Sequence, residues 1–347
     1  MKYLKISTLA LFAGMMAFNA GAQDLHFSQT TETPLLINPA NTGFYNGYMR
    51  AIANYRNQWQ SMGKAFQTMN VSVDAGLFKS KRRKSFLGLG LVIFQDQAGA
   101  AKFRKTNALL SISGLVKVSK NSVFSAGICG GAVGTNADYS KLTFASQFDG
   151  NEIDAELPTG ESVIYRSFTT TDLGAGLAYE FGKVKTDQDH DDVMKVKIGA
   201  AAYHLNRPKQ EFSAGANYRL PIRWIGSINS VIDFEDTRFT VTPTFVYMRQ
   251  GKAWQYLAGS HLKVRLATGT KVTGEKTQNA IGLGLFYRSK DAIIPQMCVD
   301  LGDYSIGLSY DINVSGYKSA SRYMGGFEIS LRYNKLANSL FDTRREF

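Results

Sequence analysis

The stretch Gly326-Phe327-Glu328-Ile329-Ser330-Leu331-Arg332-Tyr333-Asn334 alternates without a break. Successive side chains of an extended chain point to opposite faces. Phe327, Ile329, Leu331 and Tyr333 therefore share one face, and Glu328, Ser330, Arg332 and Asn334 the other. The preceding segment repeats the arrangement, with Tyr304, Ile306, Leu308, Tyr310, Ile312 and Val314 opposite Ser305, Gly307, Ser309, Asp311 and Asn313. Further upstream, Val71, Val73, Ala75 and Leu77 oppose Ser72, Asp74 and Gly76. The same reading predicts strands over 49–59, 66–77, 86–96, 105–118, 123–134, 171–182, 193–205, 222–233, 238–250, 253–266, 278–289, 291–301, 303–314 and 324–334.

Fourteen strands of this length choose between two architectures. A sandwich strand usually runs about 5 or 6 residues and hides its apolar face under a second sheet. A tilted strand that crosses a membrane needs roughly 9 to 11 and occurs in even numbers. The predicted strands have the second length, so the fold class is all-β, a transmembrane antiparallel β-barrel of about 14 strands. Trp59, Trp254, Tyr287 and Tyr333 at the ends of apolar faces fit interfacial girdles. Gly88, Gly90, Gly282 and Gly284 on the polar face fit a wall that must curve.

Composition agrees. The 347 residues include 33 Gly and 12% aromatics but only 7 Pro, and 44% are hydrophobic. This is too apolar for a disordered chain. Lys+Arg 40 against Asp+Glu 28 gives +12, but the basic residues are scattered, which is not the clustered footprint of a nucleic-acid binder.

Lys2 and Lys5, the apolar run Ile6–Phe18 and the small residues Ala20-Gly21-Ala22 read as a cleaved signal peptide over 1–22. No later run approaches 18 uninterrupted apolar residues. The expected organisation is then an N-terminal periplasmic segment over 23–48, an outer-membrane barrel over 49–334 and a C-terminal tail over 335–347. With a periplasmic N-terminus, connections after odd-numbered strands face outward. The longest, 135–170, follows the fifth strand and becomes a long extracellular loop.

No conventional active site is legible, so the chain reads as noncatalytic and without cofactor. His26, His190, His204 and His261 lack metal-ligand spacing. The acidic run Asp187–Asp192 around His190 reads as a solvated turn rather than a cation site. Cys129 and Cys298 fall on inner faces, as two separate thiols or as one bridge across a collapsed lumen. Arg50, Asn54, Arg56, Gln58, Lys195, Lys197, Lys263, Arg265, Glu328 and Arg332 line the predicted interior, either selecting solutes or pairing with one another.

Five pieces then line up in order. Gln23-Asp24-Leu25-His26-Phe27-Ser28-Gln29, Ile37-Asn38-Pro39-Ala40-Asn41-Thr42-Gly43 and Tyr55-Arg56-Asn57-Gln58-Trp59 open the mature chain. Leu142-Thr143-Phe144-Ala145-Ser146-Gln147-Phe148-Asp149 and Ala202-Tyr203-His204-Leu205-Asn206-Arg207-Pro208 follow, ahead of the final strand. Together they resemble the PorP/SprF family of type IX secretion system membrane proteins. The resemblance implies an outer-membrane barrel of a Gram-negative bacterium. It also implies a role in export or surface anchoring of a large secreted adhesin, including adhesins used for gliding. The partners it implies are secretion components, among them a periplasmic lipoprotein ring, or the adhesin itself.

The partner-binding candidates are Asn38, Pro39, Arg56, Gln58 and Trp59 near the N-terminus, and the basic turn Lys81, Arg82, Arg83 and Lys84. Each has a second reading: a turn before the first strand at Asn38-Pro39, an internal ion pair at Arg56, an interfacial anchor at Trp59 and a solvated turn at 81–84. A diffusion channel or solute transporter is the alternative function, and a secreted β-sandwich binding module a third.

Overall fold

The computed structural model describes residues 26–58, 66–79, 83–99, 102–136, 167–186, 191–211, 218–234, 237–266, 279–316 and 321–335, with short pieces between 142 and 160. In chain order the strands are β1 (Met49–Gln58), β2 (Phe66–Leu77), β3 (Ser85–Ala98), β4 (Phe103–Ser119), β5 (Ser122–Asn136), β6 (Phe168–Thr186), β7 (Asp191–Tyr203), β8 (Lys209–Gln210), β9 (Tyr218–Arg219) and β10 (Arg223–Asp233). They continue with β11 (Phe239–Gln250), β12 (Ala253–Arg265), β13 (Ala280–Arg288), β14 (Ala292–Leu301), β15 (Tyr304–Asn313) and β16 (Met324–Lys335). All but β8 and β9 close into one antiparallel barrel of fourteen strands, each beside its chain neighbour, with β1 sealing against β16. Every strand read from alternation is present in it. The pair β8–β9 is an added hairpin in the connection from β7 to β10. At two residues a strand it is too short to leave a period in the sequence.

The faces divide as alternation requires. On β2, Met69, Val71 and Val73 are exposed outward while Thr68, Asn70, Ser72 and Asp74 are buried inward. An outward apolar face on every strand is stable only against lipid, and closure leaves no unpaired edge within it. Aromatic side chains gather at both ends of this belt. Trp254 stacks on Tyr256 and Tyr256 meets Tyr287 edge-on at one end, and Tyr304 lies 5.1 Å from Tyr333 at the other. The end where β1 starts and β16 finishes is called the near end below, and the opposite mouth, with the 137–167 connection, the far end.

The lumen is not empty. From the segment expected as a periplasmic piece over 23–48, residues 27–30, 33, 35 and 37–44 are buried inside the barrel. This is a deeper placement than a piece lying at the periplasmic mouth. Two prolines start its turns, Pro34 at the head of the helical turn Pro34–Ile37 and Pro39 at the head of the 3-10 turn Pro39–Asn41. Proline fits there because the first turn has no use for its missing N–H. Asn38 separates the turns in extended conformation, and its side chain caps the second by accepting from the Ala40 amide at 2.8 Å.

Inner glycines are mostly sites of close approach to this plug rather than of curvature. A Cβ on Gly88 would stand 2.2 Å from the Thr42 carbonyl oxygen, and one on Gly127 2.5 Å from that of Pro39. At Gly282 and Gly284 the neighbours are instead the side chains of Cys298 and His261.

Candidate functional site

Among the described residues the plug meets the wall at several levels, one of them the pair in which Arg332 of β16 donates to Glu32 at 2.7 Å, and the far half of the lumen holds the densest contact. Arg56 on β1 and Glu328 on β16 are directly opposed across the closing seam. Asp311 enters from β15 at a register shift between Asp311 and Ile312, a bulge of the kind that re-aims a side chain. Arg288 completes the group from β13. All four are at most 2% exposed. Arg56 reaches Glu328 at 3.0 Å and Asp311 at 3.0 Å, and Arg288 pairs with Asp311. The two guanidiniums are each matched by a buried carboxylate, and Arg288 also pairs with the more exposed Asp291 at 2.6 Å, so none of the cluster's buried charges is left unpaired.

Most of the cluster's other bonds go to the plug. Glu328 accepts the Ser28 amide at 2.7 Å and the Gln29 amide at 3.0 Å. The Ser28 hydroxyl donates to Asp311 at 2.6 Å and accepts from Arg288 at 2.8 Å, while Arg56 donates to the His26 carbonyl at 2.6 Å. The Gln29 amide group donates to Ser309 at 3.2 Å and accepts from Ser330 at 2.7 Å.

Midway down, Asn38 donates to the carbonyls of Leu177 at 2.9 Å and Ala200 at 3.3 Å. Gly176 and Gly199 make room for it, since a Cβ on Gly176 would stand 2.1 Å from the Asn38 Oδ1. Tyr203 donates to the Leu35 carbonyl at 2.6 Å, and Ser125 to that of Ala40 at 2.7 Å. Ile37 lies in an apolar cluster with Cys129, Tyr203 and Val246.

At the near end Asp74 accepts from Arg50 twice, at 2.9 Å and 2.9 Å, and from the Gly43 amide at 2.7 Å. Lys197 donates to the Phe44 carbonyl at 2.9 Å. Lys79, in the turn after β2, donates to the carbonyls of Tyr45 at 3.1 Å and Gly47 at 3.0 Å and sits over the Tyr45 ring. Burial and the nearby Arg50 charge pull its amine down to about 8. Burial raises the Tyr45 phenol.

The sequence candidates separate into two places. Asn38, Pro39 and Arg56 are buried in the lumen, where they hold the plug and present nothing to solvent. Gln58 is half-buried at the far end of β1, and Arg83 and Lys84 are exposed at the near end. Trp59, Lys81 and Arg82 lie outside the described residues, as do 187–190 of the acidic run, the signal-peptide residues and the tail beyond 335. Cys129 and Cys298 are both free thiols. Sequence reasoning missed Ser28, Gln29, Asp74, Arg288 and Asp311 as plug contacts. The one signal available for the three charged residues among them was their position on polar faces.

A family model described as "Type IX secretion system membrane protein PorP/SprF" matches residues 19–333. No curated protein sequence matches the chain. Among solved structures, the CymD monoaromatic hydrocarbon channel is similar at 12% identity, over 92% of this chain and 93% of that one, with a TM-score of 0.43. The toluene transporter TodX of P. putida is similar at 12% identity over 86% and 93%, with a TM-score of 0.41. A Pseudomonas aeruginosa FadL homologue is similar at 10% over 86% and 92%, with a TM-score of 0.37. Likenesses this distant carry no argument about what this chain binds or transports.

Proposed function

We propose that this chain, which belongs to the PorP/SprF family of type IX secretion system membrane proteins, is a plugged, noncatalytic scaffold that supports export or surface anchoring of a secreted adhesin. It is an outer-membrane barrel. In this reading its partners meet the two mouths and do not pass through the lumen. The near end, where β1 begins, faces the periplasm and the secretion components, including a lipoprotein ring. The far end, with the 137–167 connection, faces the exported adhesin.

The observation that carries the reading is the plug. Residues 27–44 occupy the lumen from the Arg56 cluster down to Asp74, and backbone groups of Ser28, Gln29, Leu35, Ala40 and Gly43 are bonded to wall side chains. A solute channel needs a continuous aqueous path or a plug that is held loosely. This one is held by buried charge-assisted bonds, the strong class of hydrogen bond.

The test has two arms. In planar bilayers the intact protein gives no steady conductance, and removal of residues 26–44 opens one; a steady pore in the intact protein favours the diffusion-channel alternative instead. Mild extraction from native outer membranes followed by mass spectrometry recovers secretion components or one large adhesin. Recovery of neither sinks the scaffold reading.

A further inference from the structure

We propose that the outer wall carries a binding site for an anionic glycerophospholipid, with acyl chains in an apolar trough across β4 to β10 and the phosphate on basic turns at the near end. The outside of a barrel is convex, yet here it is hollowed. The depression has a volume of about 710 Å³, within the roughly 300–1,000 Å³ of sites that hold small ligands. Gly114 pairs with Ala126, Ala126 with Leu177, Leu177 with Ala200, and Ala200 with Gly226, so one line crosses five strands. Its floor is low because four of those five side chains end at or before Cβ. Ile112, Ile128 and Trp224, each 45% to 64% exposed, stand around it as walls, and Leu177 rises from the middle of the line.

A headgroup site adjoins the trough. The Lys117 amide donates to the Lys84 carbonyl at 2.7 Å, bringing the turn before β3 beside the end of β4. Arg83, Lys84 and Lys120 are exposed, and no acid occurs in the sequence from 78 to 85 or from 117 to 122. Arg83 lies over the ring of Phe78, which is 63% exposed, as is Val118. Val116, which pairs with Ser85 beside these turns, stands two residues beyond Gly114 on the same outward face, roughly 7 Å at the rise of a strand. Acyl chains in the trough therefore put a phosphate within reach of three cations that have no acid in their own turns. Basic residues just outside a hydrocarbon-facing surface attract anionic headgroups. An acidic protein docked on the turns would satisfy the charge and leave the trough open, so the lipid is the occupant that uses both features. The inference needs only a membrane location and does not rest on the export role.

Native mass spectrometry of the full protein, released from nanodiscs of equimolar phosphatidylglycerol and phosphatidylethanolamine, tests it. The intact protein retains one phosphatidylglycerol, preferred by about fivefold or more. Changing Arg83, Lys84 and Lys120 together to Gln abolishes the preference. Gly114→Leu with Gly226→Leu abolishes retention of both lipids; an added Cβ meets nothing within 4 Å at either position, so the barrel tolerates the change. Unchanged mobility of the unheated protein on gels confirms that each variant is folded. Equal retention of the two lipids, retention indifferent to both sets of changes, or displacement of phosphatidylglycerol by lipopolysaccharide overturns the proposal. So does a glutamine variant that loses an acidic protein partner while keeping its lipid.

Discussion

Arg56 and Glu328 face each other across the seam that closes the barrel, 3.0 Å apart and each 2% exposed. The pair belongs at once to the wall and to the plug, because Glu328 also accepts the amides of Ser28 and Gln29.

Removing one charge from this cluster leaves another buried and uncompensated. Arg56→Met is expected to destabilise the protein by ~3–5 kcal/mol, and Arg56→Met with Glu328→Gln to recover part of that loss. Urea unfolding in lipid vesicles, followed by tryptophan fluorescence, measures both. A loss below ~1 kcal/mol for the single change, the level of a surface pair, would mean the pair is not holding the seam.

Gly127 is expected to accept no side chain without moving the plug. A Cβ there would lie 2.5 Å from the Pro39 carbonyl oxygen and 2.6 Å from the Ala40 amide nitrogen, both backbone atoms with little freedom to give. Gly127→Val should leave a barrel that still resists unfolding in unheated gels but conducts in planar bilayers. Gly114→Ala, at an outward position with open space, should leave the barrel both folded and non-conducting.

Cys129 is a built-in reporter of plug seating. It is 6% exposed and shares its cluster with Ile37. A polar maleimide should leave it unlabelled in the intact protein and label it in Ile37→Asp, where a carboxylate cannot stay in that cluster. Equal labelling before and after the change would show that the thiol reports something other than residues 33–44.

Lys79 gives the near end a pH dependence of known sign. Its amine is held at about 8, whereas an unfolded lysine titrates near ~10.4. Between those values the unfolded chain binds more protons than the folded one, so this group makes stability rise with pH, by up to ~1.4 kcal/mol per pH unit. The contribution is flat below about 8 and above ~10.4. Lys79→Met should remove the rise, as seen by comparing urea midpoints of the two proteins from pH 7 to 10.

What was legible in the sequence was whatever repeats every two residues. The strand at 326–334 and its thirteen companions announce themselves because one face meets lipid and the other does not. The plug has no such period. Its residues between 27 and 44 mix apolar and polar side chains in the order that a lumen of fixed shape demands, and the partners of Ser28 and Gln29 lie some 300 positions away. Asn38 and Arg56 stand out in the sequence, but not the partners that bury them: Asn38 reaches the Leu177 and Ala200 carbonyls and Arg56 reaches Asp311 and Glu328, on different parts of the wall. The glycines show the same limit. Gly88 was legible as inward-facing, but the Thr42 carbonyl that forbids it a side chain belongs to a segment 46 residues earlier (88 − 42 = 46).

The bonds from Ser28 and Gln29 to Glu328 also set an order of assembly. The plug's most constrained residues leave the ribosome before any strand, yet their carboxylate partner arrives on β16, the final strand of the barrel. Contacts of such long sequence separation form late, after loop closure has been met. Insertion therefore cannot proceed as a plain relay of hairpins from β1 onward with the lumen filled afterward. The leading residues must wait unsecured until the seam closes on them, so that sealing the wall and locking the interior are one event.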